Sequence, residues 1–281
     1  MITPETLTVV FGLGSAVTWG AGDFSGGVAT KRNPVLSVLF ISQVIGLGLL
    51  VGLAFFRAEP LPARAGLTAG ALAGLFGTLG LACLYRGLAS GRMGVVAPLS
   101  AVVTALVPVV FAFFLEGAPG VLTFAGFGAA LVAVWCLAAS QEAGGIHRRE
   151  VLLSLAAGGG FGLFFICIDQ ASRESILWPL AAARCASLTM IGAILTVRRR
   201  QLCASGSQLA VMALAGALDT AGNAFFALAA QMGRLDVAAV LSSLYPLSTV
   251  LLARTVLRER LHRRQWAGVA AALAAIVMIA A

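Results

Sequence analysis

Five ionisable side chains, Asp23, Asp169, Arg184, Asp219 and Arg254, fall inside long apolar stretches of this 281-residue sequence. A charge held in hydrocarbon costs about 3 kcal/mol or more, so its presence points first to a pathway, a coupling site or a gate. Depth sorts four of them into pairs. Asp169 and Arg184 fall toward one membrane face, Asp23 and Arg254 toward the other. Such pairs suit gating or proton coupling, in which an Asp takes up a proton while a substrate moves. The plainer alternatives are static ion pairs and, for Arg254 so near Arg258, a side chain that snorkels to the headgroups. Asp219 has no partner at its depth, but Asn223 one turn on makes a polar stripe with it on one helix face. That stripe either lines a cavity or makes a packing hydrogen bond.

Trp19, Tyr85, Ser100, Ser242 and Tyr245 add rings and hydroxyls suited to the wall of a cavity for an organic substrate. Trp135 and Trp178 suit lipid or interface contact better. Catalysis fits poorly. A membrane-embedded enzyme needs acids, His or Cys clustered near one face, and here the acids are spread over three spans with no His among them. We therefore expect no catalytic residues and no enzyme. Cys83, Cys136, Cys167, Cys185 and Cys203 are scattered without CxxC or Cys/His spacing, which predicts small core residues, not disulfides or metal ligands. Neither a metal nor a cofactor is expected.

The elements that carry these groups follow from composition. Only 11% of residues are charged and 60% are hydrophobic, against about 25% and 45–50% in soluble domains. Mean hydropathy is +0.98. So few charges cannot keep such a chain wet, which excludes a soluble enzyme, a disordered tail, a coiled coil and a disulfide-rich secreted module. The net charge of +8 resides in short basic clusters between apolar stretches, a pattern of membrane orientation and not of nucleic-acid binding. A helical span needs about 20 apolar residues. The chain divides into ten such segments, near 7–30, 34–56, 65–88, 94–115, 119–139, 151–171, 177–197, 207–230, 237–257 and 265–281. The short alternating strands of a β-barrel are absent. Because Met1-Ile2-Thr3-Pro4-Glu5 is no basic n-region, the first segment is expected to be a retained span. The expected class is an all-α polytopic membrane protein. Much Ala, Gly and Arg with a single Lys points to a GC-rich bacterial genome, hence the bacterial inner (plasma) membrane.

Sliding the sequence on itself by 142 residues aligns the halves without gaps. Thr78, Gly80 and Ala82 fall on Thr220, Gly222 and Ala224; Gly91-Arg92 on Gly233-Arg234; and Leu99-Ser100 on Leu241-Ser242. Trp19-Gly20 falls on Phe161-Gly162, which adds Phe161 to the cavity candidates. The expected units are residues 1–140 and 150–281, each of five helices. Five is odd, so the second copy enters the membrane inverted, as in many secondary transporters. Pro98, Pro108 and Pro246 lie in the fourth and ninth segments, which are counterparts and candidate hinges. Odd-numbered connections carry clusters such as Lys31-Arg32 and Arg198-Arg199-Arg200, whereas even-numbered ones carry Arg57, Arg64, Arg173 and Arg234. The positive-inside rule then puts both termini outside. Ten spans suffice for a complete cavity, so a monomer suffices, though a dimer is compatible.

Trp19-Gly20, the duplicated ten segments and Leu241-Ser242-Ser243-Leu244-Tyr245-Pro246 through Leu257-Arg258-Glu259-Arg260-Leu261 resemble the EamA-type branch of the drug/metabolite transporter superfamily. Leu99 to Glu116, running into Ala125-Gly126, is similar to that pattern in the first half. The resemblance implies an exporter or exchanger of a small organic metabolite, amino acid-, sugar- or drug-like. It also implies a cavity lined by the first, third, fourth, sixth, eighth and ninth segments. A lipid or lipid-carrier flippase of the same fold is the alternative. Many relatives keep both termini in the cytoplasm, often with basic tails, whereas the termini here carry neither Lys nor Arg. Ala21-Gly22-Asp23 also departs from a purely apolar family span, so any role of Asp23 is particular to this chain.

Overall fold

A computed structural model of the chain describes residues 3–89, 93–116, 120–138, 148–199, 201–202, 206–256 and 263–280, some helix side chains excepted. The described residues form helices and their connections, with no strand among them. In chain order the helices are α1 (Pro4–Thr30), α2 (Val35–Phe56), α3 (Arg64–Ala89), α4 (Met93–Glu116), α5 (Val121–Ala138), α6 (Arg148–Ala171), α7 (Leu177–Val197), α8 (Leu209–Met232), α9 (Leu235–Ser242), α10 (Tyr245–Val256) and α11 (Arg263–Ala280). A 3-10 turn, Gly206–Gln208, leads into α8.

Local chemistry sets the ends. Pro4 opens α1, where a missing N–H leaves nothing unpaired, and Thr3 Oγ1 caps it by accepting from the Thr6 N–H at 3.3 Å. The ninth segment is not one helix. Pro246 has no N–H, and its ring excludes the carbonyl four residues back. The chain therefore turns at Ser243-Leu244, with tight bonds from the Leu244 N–H to the Leu241 carbonyl and from the Leu247 N–H to the Leu244 carbonyl. Its counterpart α4 runs unbroken through Pro98 and Pro108; the Pro98 side chain lies outside the described residues.

Five helices are long and apolar enough to cross a membrane among the described residues: Val35–Phe56, Arg64–Leu88, Val151–Ala171, Leu177–Val197 and Leu209–Met232. The ten segments expected from sequence are matched to that extent. α1 has the length, but its glycines, hydroxyls and Asp23 dilute its apolar character. Large apolar side chains such as Phe55, Phe56, Phe114 and Trp135 stay exposed, as lipid contact requires. The chain is a multi-pass integral membrane protein. Its described cysteines are unpaired, but Cys83, Cys136 and Cys167 are half-buried and Cys185 is exposed, a correction to their expected place in the core.

Packing runs between the halves more than within them. α1 lies along α8 and α6 along α3, which are the same pair under the 142-residue offset. α4 packs on α6 as α9 and α10 pack on α1, and α7 packs on α3 as α2 packs on α8. α5 and α11 pair with each other. Glycine permits the closest approaches. A Cβ on Gly74 would collide with the Ala183 carbonyl of α7, and one on its counterpart Gly216 with the Ser42 carbonyl of α2. Likewise Gly80 accommodates the ring of Phe161, and Gly222 that of Trp19.

Candidate functional site

Where α1, α3, α6 and α8 meet, their side chains leave a cavity of about 620 Å³ of space not filled by atoms, open solvent at its mouth included. α1 contributes Trp19 and Asp23, one turn apart and so on one face. α8 contributes Asp219 and Asn223 at the same spacing. Phe161, Phe164 and Phe165 from one face of α6 form an aromatic wall, completed by Leu81, Leu180 and the small residues of α3.

Arg184 enters from α7. Its Nη2 lies 2.6 Å from Asp219 Oδ2, its Nη1 donates to Gln43 Oε1 at 2.5 Å and its Nη2 also donates to Thr220 Oγ1 at 3.3 Å. Gly46 leaves room for this fork, since a Cβ there would lie 3.1 Å from Arg184 Nε. The carboxylate and neutral acceptors around this buried guanidinium offset the cost of taking its charge out of water. The network continues outward. Asn223 Nδ2 donates to Asp219 Oδ2 at 3.4 Å, and Asn223 Oδ1 accepts from Trp19 Nε1 at 3.1 Å. The Trp19 ring stacks on Phe165, centroids 5.4 Å apart and planes within 9°. Phe165 stacks in turn on Phe226 at 4.1 Å.

Asp23 is only 9% exposed and lines the same cavity, yet it has no hydrogen-bond or ion-pair partner among the described residues. The depth-based pairing therefore needs correcting. Arg184 pairs with Asp219, not with Asp169, whose half-buried carboxylate accepts from Gln170 Nε2 at 3.0 Å. The Arg254 side chain lies outside the described residues.

Of the other candidates, Phe161 and Tyr245 line the cavity and three stand behind it. Ser100 is buried and shares a 2.8 Å hydrogen bond with the Tyr245 hydroxyl. Tyr85 is buried against Gly26, where a Cβ would strike its hydroxyl. Ser242 is buried at the end of α9, and its hydroxyl finds no partner among the described residues.

Sequence reasoning missed Gln43, Thr78, Ser187, Phe164 and Phe165. Gln43 had a signal, being the one amide in α2, whose other polar residues are only Ser37 and Ser42. Phe164 and Phe165 sit three and four residues past Phe161, one turn along the same face. The Thr78 and Ser187 hydroxyls, 2.6 Å apart, had none, because each serves a carbonyl of a neighbouring turn.

No curated protein matches the sequence. A solved crystal structure, described only as that of a protein, superposes with a TM-score of 0.78 over 96% of this chain and 95% of its own at 16% identity, so the two share a fold. The model of the EamA-like transporter family matches twice, over residues 6–139 and 148–281, once for each copy of the repeat. The chain belongs to the EamA-like transporter family.

Proposed function

We propose that this chain is a secondary transporter with ten transmembrane helices, arranged as two inverted five-helix repeats over residues 1–140 and 150–281. It moves a small organic metabolite (amino acid-, sugar- or drug-like) across the bacterial inner membrane by alternating access, as an exporter or exchanger. The observation that carries this reading is the cavity at the crossing of α1, α3, α6 and α8, lined by both copies and holding an ion pair between a buried arginine and a half-buried aspartate. Interlocked copies support it too. Because α1 on α8 corresponds to α6 on α3, exchanging the conformations of the copies exposes the cavity to the other side at similar energy. Trp19, Asp23, Phe161, Asp219, Asn223 and Tyr245 contact the substrate in this reading, with Tyr85, Ser100 and Ser242 behind them. Asp23, Asp169, Arg184 and Arg254 gate or couple, and the segments around Pro98, Pro108 and Pro246 hinge.

The test is uptake and efflux in proteoliposomes with a mixed pool of labelled metabolites, wild type beside Asp23→Asn and Asp219→Asn. Wild type is expected to move at least one solute, and each variant to slow it by about tenfold or more. If no water-soluble metabolite moves while a fluorescent phospholipid scrambles, the protein is a flippase and the transport reading fails.

A further inference from the structure

We propose that the cavity is built for an organic cation, a substrate with a charged amine and an apolar, ring-sized body but no carboxylate. This deepens the transporter reading and rests on it. Among the described residues three charged side chains line the cavity, Asp23, Arg184 and Asp219, which gives that lining one negative charge in excess. The positive charge is already satisfied. Arg184 holds Asp219 at 2.6 Å, and Gln43 and Thr220 take further donors. A substrate carboxylate would have to displace Asp219 and leave it unpaired in the same cavity, which is costly.

Asp23 is in the opposite position. Its carboxylate is buried, aimed into the cavity and without a partner among the described residues, so an arriving cation supplies what they do not. One turn away on the same face is Trp19, and the Phe161, Phe164 and Phe165 rings form the adjoining wall. Phe165 is covered by Trp19 and Phe226, so this cluster offers an aromatic wall that accommodates an apolar body. A sugar finds less. The lining hydroxyls already donate within the protein, Thr78 to the Gly74 carbonyl at 2.7 Å, Ser187 to the Ala183 carbonyl at 2.8 Å and Thr104 to the Ser100 carbonyl at 2.8 Å.

The experiment uses the full chain in nanodiscs, with empty nanodiscs as the control for partition into lipid. Labelled phenethylamine is the probe, and phenylalanine, phenylpropionate and glucose are competitors. Phenethylamine is expected to bind saturably, phenylalanine to compete about tenfold more weakly or worse, and phenylpropionate and glucose not to compete. Asp23→Asn should weaken phenethylamine by about tenfold or more with its thermal unfolding unchanged. Asp219→Asn frees Arg184 and should narrow the gap between phenylalanine and phenethylamine. The ranking of probes on wild type needs no variant to fold. Failure of phenethylamine to bind, equal competition by phenylalanine or glucose, or full affinity in Asp23→Asn overturns the inference. The same proteoliposomes separate the two readings. A metabolite that moves without any amine binding sinks the cation inference alone, whereas amine binding without movement of any solute sinks the transport reading.

Discussion

Gly74 and Gly216 hold corresponding places in the two copies, and each lets its helix run against a carbonyl of the helix beside it, Ala183 on α7 and Ser42 on α2. At the position of Ser42 the copies part. Its counterpart is Arg184. Ser42 merely donates to the Met212 carbonyl at 3.2 Å, whereas Arg184 organises Asp219, Gln43 and Thr220. Asp219, Asn223 and Asp23 likewise correspond to Gly77, Leu81 and Phe165. The connections diverge in the same way. Glu59 accepts from the Ile176 and Leu177 N–H groups at 2.9 Å each, which caps the start of α7, and its carbonyl accepts from Trp178 Nε1 at 2.9 Å. Glu174 accepts from the Ala63 N–H at 2.9 Å. Their counterparts Gln201 and Arg32 are exposed and make no such bond among the described residues. Backbone approach is needed in both copies because helices must close-pack wherever they cross. Charge is needed once, and a second buried pair would add desolvation without adding a site.

Breaking the charged side should cost most. Arg184→Met strands Asp219 in the cavity and should destabilise the protein by about 3–5 kcal/mol, while Arg184→Met with Asp219→Leu recovers most of that loss. Thermal unfolding in detergent checks both, and a double variant as unstable as the single would refute the pairing. Next come the shared contacts. Gly74→Val and Gly216→Val should each cost about 1–3 kcal/mol through overpacking, and similar losses in the two copies would sharpen the comparison. Glu59→Ala removes the acceptor from two backbone N–H groups and should cost about 1–2 kcal/mol, against less than about 0.5 kcal/mol for Gln201→Ala. Equal shifts in those two melts would mean that the ends of the bundle are alike. Smallest is Gly48→Ala. A Cβ there meets nothing within 4 Å, so it should leave stability unchanged or raise it by about 0.5 kcal/mol.

Much of the architecture was legible beforehand. Repeat matches such as Thr78 with Thr220 and Gly80 with Gly222 marked the duplication, because packing pins small residues at helix crossings in both copies. Asp219 with Asn223 was legible as a face, since helical spacing alone brings them together. The partner of Arg184 was not legible. Depth orders residues along the membrane normal but says nothing of the direction in which a side chain points around the bundle. The break of the ninth segment was half-legible. Pro246 signalled a bend, but whether a proline bends or ends a helix depends on what packs around it, and α4 tolerates two.

By itself the sequence determined that this chain lives in a membrane, how often its pattern repeats and which few charges lie in apolar company, because hydropathy and period are local properties. Only the tertiary structure decided that Arg184 is neutralised by Asp219 and that Asp23 is left without a partner among the described residues, because buried charge is settled by whichever group meets it across helices distant in sequence.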